Sequence, residues 1–357
     1  MRHLILRSTL CFGALVPTSG GLLAQEPDSA LGVTLTYAVG ADLSFLRWAE
    51  RDRGIQFKDN GVVRPGLDIF RDHGYDWIRL RLFHTPTELP NNLAYTIALA
   101  QDAKARGFKF LLDYHFADGW ADPQQQPTPR AWDTTDIAVL ADSVFGYTRN
   151  TIRAFREAGV MPEMVQIGNE VRNGMMWPLG RLPEHWDNFG KLFKAALDGI
   201  DAGRDRATRP LIMLHYDNGA DTDGTKAFFD RFHDYHIPYD IIGLSYYPWW
   251  HGNLLELRDN FLSILDNYPD KDVILVEVGY RPHEYEAGEL PPFSNDAPGG
   301  PRKAFLEAVN ETLLGISDRR IKGIFWWEPA SACDRDYFDA DCNARPVITV
   351  FDKYRRR

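Results

Sequence analysis

Eight short apolar runs alternate with longer stretches of helical periodicity along this 357-residue chain, and few folds accept that order. The runs are Thr34–Ala41, Trp77–Phe83, Lys109–Tyr114, Met164–Gly168, Leu211–Leu214, Ile241–Tyr246, Val273–Val278 and Gly323–Trp327. Between them, Asn92–Arg106 carries apolar residues at helical spacing and stops at Gly107. Thr135–Ala158 and Trp186–Ala202 likewise end before a glycine, a helix starts near Leu254 and reaches Asn267, and Pro301–Leu314 opens on proline and ends before Gly315. This alternation predicts an α/β fold, a single (β/α)8 TIM barrel. Asp42–Arg53 reads as a helix directly after the first strand, ahead of a loop at Gly54–Pro65. No internal repeat or low-complexity linker divides the chain.

In such barrels the C-terminal strand ends build the site. Two of the runs carry a glutamate there. The fourth leads through Met164-Val-Gln-Ile-Gly-Asn-Glu170, and the seventh, Val273-Ile-Leu-Val-Glu-Val-Gly279, carries Glu277. A carboxylate at the end of a buried strand is costly without a partner or a task. Two of them suit a glycosidase pair, with Asn169 placed to bond a sugar 2-hydroxyl beside Glu170.

The second run ends Arg79-Leu-Arg-Leu-Phe-His84, and alternation points Arg79 and Arg81 inward together. A buried arginine wants a carboxylate, and Arg81, nearer the strand end, is the expected partner of Glu277; a structural ion pair with another acid is the alternative. After the third run, Asp113-Tyr-His-Phe-Ala-Asp-Gly-Trp-Ala-Asp-Pro123 offers His115, Asp118 and Trp120 for sugar contacts. No further ligand is spaced to complete a zinc site there, and no metal or cofactor is expected. Trp177 is a candidate stacking platform. In Gly243-Leu-Ser-Tyr-Tyr-Pro-Trp-Trp-His-Gly252, either Tyr246 or Tyr247 can donate a hydrogen bond to a nucleophilic carboxylate, and Trp249 and Trp250 fit either a sugar groove or the aromatic core. Trp327 can floor the subsite where the bond breaks. Asp221-Thr-Asp-Gly224 hints at a calcium loop, but the twelfth position counted from Asp221 is Phe232 and not glutamate. Ser245 lacks a G-x-S-x-G setting.

Residues 1–24 read as a secretory signal peptide, with Arg2 and Arg7 before a short apolar stretch and a cut near Ala24. Residues 25–357 then form the catalytic domain, exported to a periplasm or the medium. Removing the leader takes away two arginines and no acid, so the net charge moves from −10 to −12, with 38 basic against 50 acidic residues. That balance argues against nucleic acid and anionic membranes and suits a neutral polysaccharide. Aromatics reach 13%, enough to furnish a groove as well as a core. Cys333 and Cys342 are the cysteines left after cleavage, and an exported chain favours their pairing.

Gly40-Ala-Asp-Leu-Ser44, Arg79-Leu-Arg81, the loop from Asp113 to Pro123, Gln166-Ile-Gly-Asn-Glu170 with Asn173-Gly-Met-Met-Trp-Pro178, Leu244-Ser-Tyr-Tyr-Pro248 and Trp327-Glu-Pro-Ala330 together resemble the arabinogalactan endo-β-1,4-galactanases of glycoside hydrolase family 53. The resemblance implies a retaining endo-hydrolase of β-1,4-galactan or type I arabinogalactan, with Glu170 as acid/base, Glu277 as nucleophile and Asp42 among the substrate-binding residues. The chain is expected to act as a monomer. Another retaining endo-glycanase, a mannanase or β-glucanase, is the near alternative, and a non-catalytic glycan-binding barrel the distant one. The segment Arg281-Pro-His-Glu-Tyr-Glu-Ala-Gly288 departs from the Asp-rich calcium spacing of bacterial relatives, so the resemblance does not carry a calcium site over to it.

Overall fold

The computed structural model describes residues 35–281, 283 and 292–354. The expected leader and most of the segment after the seventh strand lie outside these residues. Eight parallel strands close into a barrel: β1 Ala38–Asp42, β2 Trp77–Leu82, β3 Lys109–Tyr114, β4 Met164–Ile167, β5 Leu211–Tyr216, β6 Ile241–Tyr246, β7 Asp272–Val278 and β8 Ile321–Trp326. Each pairs with its sequence neighbour, and β8 pairs with β1 to complete the ring. All eight expected runs are strands, with ends displaced by a few residues. A separate hairpin joins Lys58–Asp59 to Val62–Val63.

The helices are α1 Leu46–Arg51, α2 Gly66–Asp72, α3 Leu93–Lys104, α4 Ile137–Glu157, α5 Trp186–Arg204, α6 Thr222–His233, α7 Pro248–His251, α8 Leu254–Asn267 and α9 Pro301–Gly315. Four differ from expectation, one of them the single-turn α7 that directly follows β6. Helix Asp42–Arg53 shortens to α1 because Asp42 closes β1 and its Oδ1 accepts both the N–H and the O–H of Ser44. That turn delays the helix to Leu46. Helix α2 begins beyond the Gly54–Pro65 loop, with Pro65 at its N-cap. Helix α6 occupies the segment that hinted at calcium. The Asp221 carboxylate accepts the Gly224 N–H at 2.9 Å and is an N-cap, which explains acidic residues at that spacing without an ion.

The barrel interior has two levels. Its lower level is apolar, with Trp77, Leu111, Met164, Met213, Ile274 and Phe325 packed together apart from the larger core between strands and helices. Gly40 is required here, since a Cβ would lie 2.1 Å from the Phe325 ring. Two residues further along the same strands the inward side chains turn polar: Arg79 above Trp77, Asp113 above Leu111, Gln166 above Met164 and His215 above Met213, all with no exposure. Period-two alternation puts each pair on one face. The closed apolar layer thus supports a charged layer facing the C-terminal mouth. The expected Cys333–Cys342 disulfide is formed, in the segment after β8.

Candidate active site

A cleft of about 810 Å³ opens at the mouth, and both Glu170 and Glu277 line it. After β4 the chain turns sharply: Gly168 has φ +77° and Glu170 sits in the left-handed region at φ +51°. A Cβ on Gly168 would meet Val171 Cγ1 at 2.6 Å, so glycine makes this turn possible. The strained Glu170 backbone is the kind that surrounding structure holds at functional sites. One carboxylate oxygen of Glu170 and one of Glu277 lie within 4.8 Å of each other and of a His215 ring nitrogen.

The two carboxylates have different surroundings. Glu277 forms an ion pair with Arg79 Nη1 at 2.7 Å and accepts the Tyr247 hydroxyl at 2.9 Å. Burial, with the charges of Asp113 and Asp42, leaves its carboxyl above the ordinary carboxylate range, while Arg79 and the Tyr247 hydrogen bond oppose that rise and favour the ionised form. Glu170 has no cation in contact among the ion pairs of the described residues. Burial first, then the charges of Glu277 and Asp217, hold it well above the ordinary carboxylate range. Its Oε1 accepts the Ser245 hydroxyl at 2.6 Å.

That bond fixes a proton chain. The Ser245 hydrogen is committed to Glu170, so Ser245 Oγ accepts from His215 Nε2 at 2.9 Å. His215 Nδ1 is then the unprotonated nitrogen and accepts Gln166 Nε2 at 3.1 Å and the Glu170 N–H at 3.3 Å. Burial and Arg79 keep the ring well below the ordinary imidazole range, hence neutral. Both nitrogens of this potential ligand are therefore engaged in holding the acid.

Arg81 does not hold Glu277, contrary to expectation. The barrel's register explains why: Val278 is level with Trp326, Trp326 with Ala41, and Ala41 with Ile78. Across the ring Glu277 thus stands nearer the level of Arg79 than of Arg81. Arg79 also donates to Asp42 Oδ2 at 3.0 Å and Asn169 Oδ1 at 2.7 Å, and it is in ion-pair contact with Asp113 Oδ2 at 2.9 Å. Arg81 bonds Asp42 Oδ2 at 3.1 Å and Glu328, while its guanidinium still reaches the cleft.

Of the other expected residues, His115, Trp120, Asn169, Tyr247, Trp249 and Trp327 line the cleft. Asn169 is anchored at both ends of its amide, by Arg79 and by the Ala121 carbonyl at 2.8 Å. Four expectations are corrected. Asp42 is fully buried beneath the cleft as the shared partner of the two arginines. Asp118 lies off the cleft and closes its own loop, accepting Thr85 N–H and Arg130 N–H at 3.1 and 3.0 Å. Tyr246, the last residue of β6, faces outward, stacks on Phe305 and donates to the Gly252 carbonyl. Trp177 turns its indole N–H to the Asn173 carbonyl at 2.8 Å and lies against Arg181 outside the cleft. Trp250 lines the cleft and is 67% exposed, which favours the groove over the core. Sequence reasoning missed Arg172, Asp217 and Asn218 at the ends of β4 and β5, and the buried Glu328 after β8. His215-Tyr-Asp217 after an apolar run was the available signal for the β5 end.

The model of glycosyl hydrolase family 53 matches residues 38–352. The chain is 35% identical over 340 residues to arabinogalactan endo-beta-1,4-galactanase A of Aspergillus niger, covering 89% of this chain and 95% of that protein. It is likewise 35% identical over 347 residues to the enzyme of that name from Emericella nidulans, covering 89% and 96%. Among solved structures, a fungal beta-1,4-galactanase superposes with TM-score 0.78 at 28% identity, covering 90% of this chain and all of that one. The GH53 catalytic domain of Ignisphaera aggregans gives the same score and identity, covering 90% and 97%. The match spans the barrel from its first strand to the segment beyond its last, and on it the chain belongs to glycosyl hydrolase family 53.

Proposed function

We propose that this chain is an exported, monomeric endo-β-1,4-galactanase that hydrolyses galactan and type I arabinogalactan with retention. The carrying observation is the pair of buried carboxylates within 4.8 Å in opposite environments, one bonded to a cation and one not. That upper bound, taken between one oxygen of each carboxyl, lies beside the roughly 5–5.5 Å of retaining enzymes and well short of the ~6.5–9.5 Å that leaves room for an inverting water. The galactan assignment is supported by the named activities of the fungal relatives. Aromatic residues at two places on the cleft, Trp120 with Trp327 and Trp249 with Trp250, support binding of sugars along an internal stretch of polymer.

Glu277, whose ionised form Arg79 and Tyr247 favour, attacks the anomeric carbon. Glu170, protonated, gives its proton to the departing glycosidic oxygen. The covalent galactosyl ester is then opened by water, from which Glu170, now ionised, takes a proton, and the Glu277 carboxylate is released. Export rests on the leader-like residues 1–24. No helix among the described residues is long and apolar enough to cross a membrane. Reducing-sugar release should be seen with β-1,4-galactan and be far weaker with mannan, xylan and β-glucan, and NMR should show the β-anomer first. Equal or greater release from another glycan would replace the substrate, and an initial α-anomer would overturn the mechanism.

Ser245→Ala tests the proton chain. The lost hydrogen bond favours ionised Glu170, so its removal raises that carboxyl further. The alkaline limb of kcat/KM is therefore expected to move to higher pH, since activity is lost as pH rises through the Glu170 pKa. An unmoved or lowered limb would exclude Ser245 from control of the acid.

A further inference from the structure

Glu328 plays no part in the chemistry above, yet it is 1% exposed, follows β8 with a left-handed backbone at φ +45°, and binds Arg81. A buried carboxyl in a strained conformation needs a compensating role. Arg81, which does not contact the nucleophile, also packs against aromatic rings. Its guanidinium carbon stands 4.7 Å from the centroid of Trp120 and 4.8 Å from that of Phe45, so the cation lies against both rings. Trp120 in turn meets Trp327 at 6.3 Å between centroids and 54° between planes, and both indoles border the cleft. Trp327 is the residue immediately before Glu328, so one short segment supplies both an indole of the wall and the carboxyl that fixes the cation behind the other.

We propose that Glu328 is a positioning residue for sugar binding: by holding Arg81 against Trp120 it sets the angle between Trp120 and Trp327 against which a pyranose C–H face packs. The guanidinium must be oriented in its plane to lie against Trp120, and Arg81's second fixed partner, Asp42, binds only its other terminal nitrogen. Without Glu328 the guanidinium can rotate about its bond to Asp42, and Trp120 loses its cation contact, leaving only the edge contacts of Phe45, Phe83 and His115 to set its angle. Glu328 touches neither the substrate path nor the two reacting carboxylates, so the effect belongs in binding.

This inference rests on the galactanase reading, and its test separates the two. The full-length enzyme is assayed on β-1,4-galacto-oligosaccharides. Glu328→Ala is expected to raise KM about tenfold with kcat within about threefold and both pH limbs unmoved. Glu328→Gln, whose amide oxygen can still accept from Arg81, should restore most of the loss. In the Trp120→Phe background, Glu328→Ala should add little, because the two changes disable one element. Should Glu328→Ala fail to fold, Arg81→Lys, which keeps the charge for Asp42 but not the planar contact, should raise KM in the same way. An unchanged KM, or losses that add fully with Trp120→Phe, would overturn the proposal. So would a shifted acid limb at constant KM, which would mean that Glu328 acts on Glu277 through Asp42 and Arg79. Failure of the galactanase reading would show separately, as a wild-type enzyme inactive on these oligosaccharides.

Discussion

Glu277→Ala is expected to lower kcat on β-1,4-galactan by about 10⁴-fold or more while the polymer still binds. Without that carboxylate no covalent intermediate forms, and the loss of one member of a coupled catalytic set approaches loss of the set. Glu170→Ala should behave differently. A general acid contributes about 10²–10⁴-fold, but only where the leaving oxygen needs a proton. On an aryl galactoside with a low-pKa phenol, the first step should proceed near the wild-type rate and the ester should accumulate. Azide distinguishes the two roles chemically. Added to Glu170→Ala it should intercept the ester and give the β-galactosyl azide. Added to Glu277→Ala it should enter from the vacated face and give the α-azide. Both directions follow from the two carboxyls flanking one bond at the separation observed. If Glu277→Ala turned over galactan normally, or the azide products were exchanged, the assignment would be wrong.

Most of this fold was legible because a barrel repeats one local rule. The eight strands follow from apolar runs with flanking breakers, and the two glutamates stood out because a carboxylate at the end of such a run is costly. The acid/base candidate could be named from position alone, and the tyrosine partner of Glu277 could be narrowed to two adjacent residues. Tyr246 could not be separated from Tyr247 without the pleat: it ends β6 facing the helices, and the next residue faces Glu277. The arginine assignment failed for a related reason. Alternation gives the face of a side chain but not its height, and height is set by strand register around a closed ring. Helices α2 and α6 escaped because their apolar pattern is short and their starts are marked by Pro65 and by an Asp-rich turn that also resembles an ion site. Glu328 gave no pattern at all. Its significance lies in a contact between the segment after β8 and β2, 247 residues apart.

Arg79→Met should have the largest effect on stability. Arg79 is fully buried and lies within ion-pair distance of Asp42, Asp113 and Glu277, with Gln166 and Asn169 also bonded to it. Methionine nearly preserves the volume but leaves these carboxylates buried without the cation. Removing one partner from a buried pair costs about 3–5 kcal/mol, and the cost here should reach at least that range because several carboxylates share one arginine. A large fall in the urea midpoint is expected. Function should change in a definite direction as well. Arg79 favours ionised Glu277, so its loss raises that carboxyl. Activity is lost as pH falls through the Glu277 pKa, and the acid limb of kcat/KM should therefore move to higher pH, toward the alkaline limb set by Glu170, narrowing the profile. Arg79→Lys should fall between wild type and methionine, since a single ammonium cannot address carboxylates on three different strands at once. The same experiment on Arg81 discriminates the two arginines. Arg81→Met should also destabilise, through Asp42 and Glu328, but its contacts leave the Glu277–Arg79 bond in place, so its acid limb should stay close to wild type. An acid limb that moved with Arg81 and not with Arg79 would return the nucleophile's partner to the residue nearer the strand end.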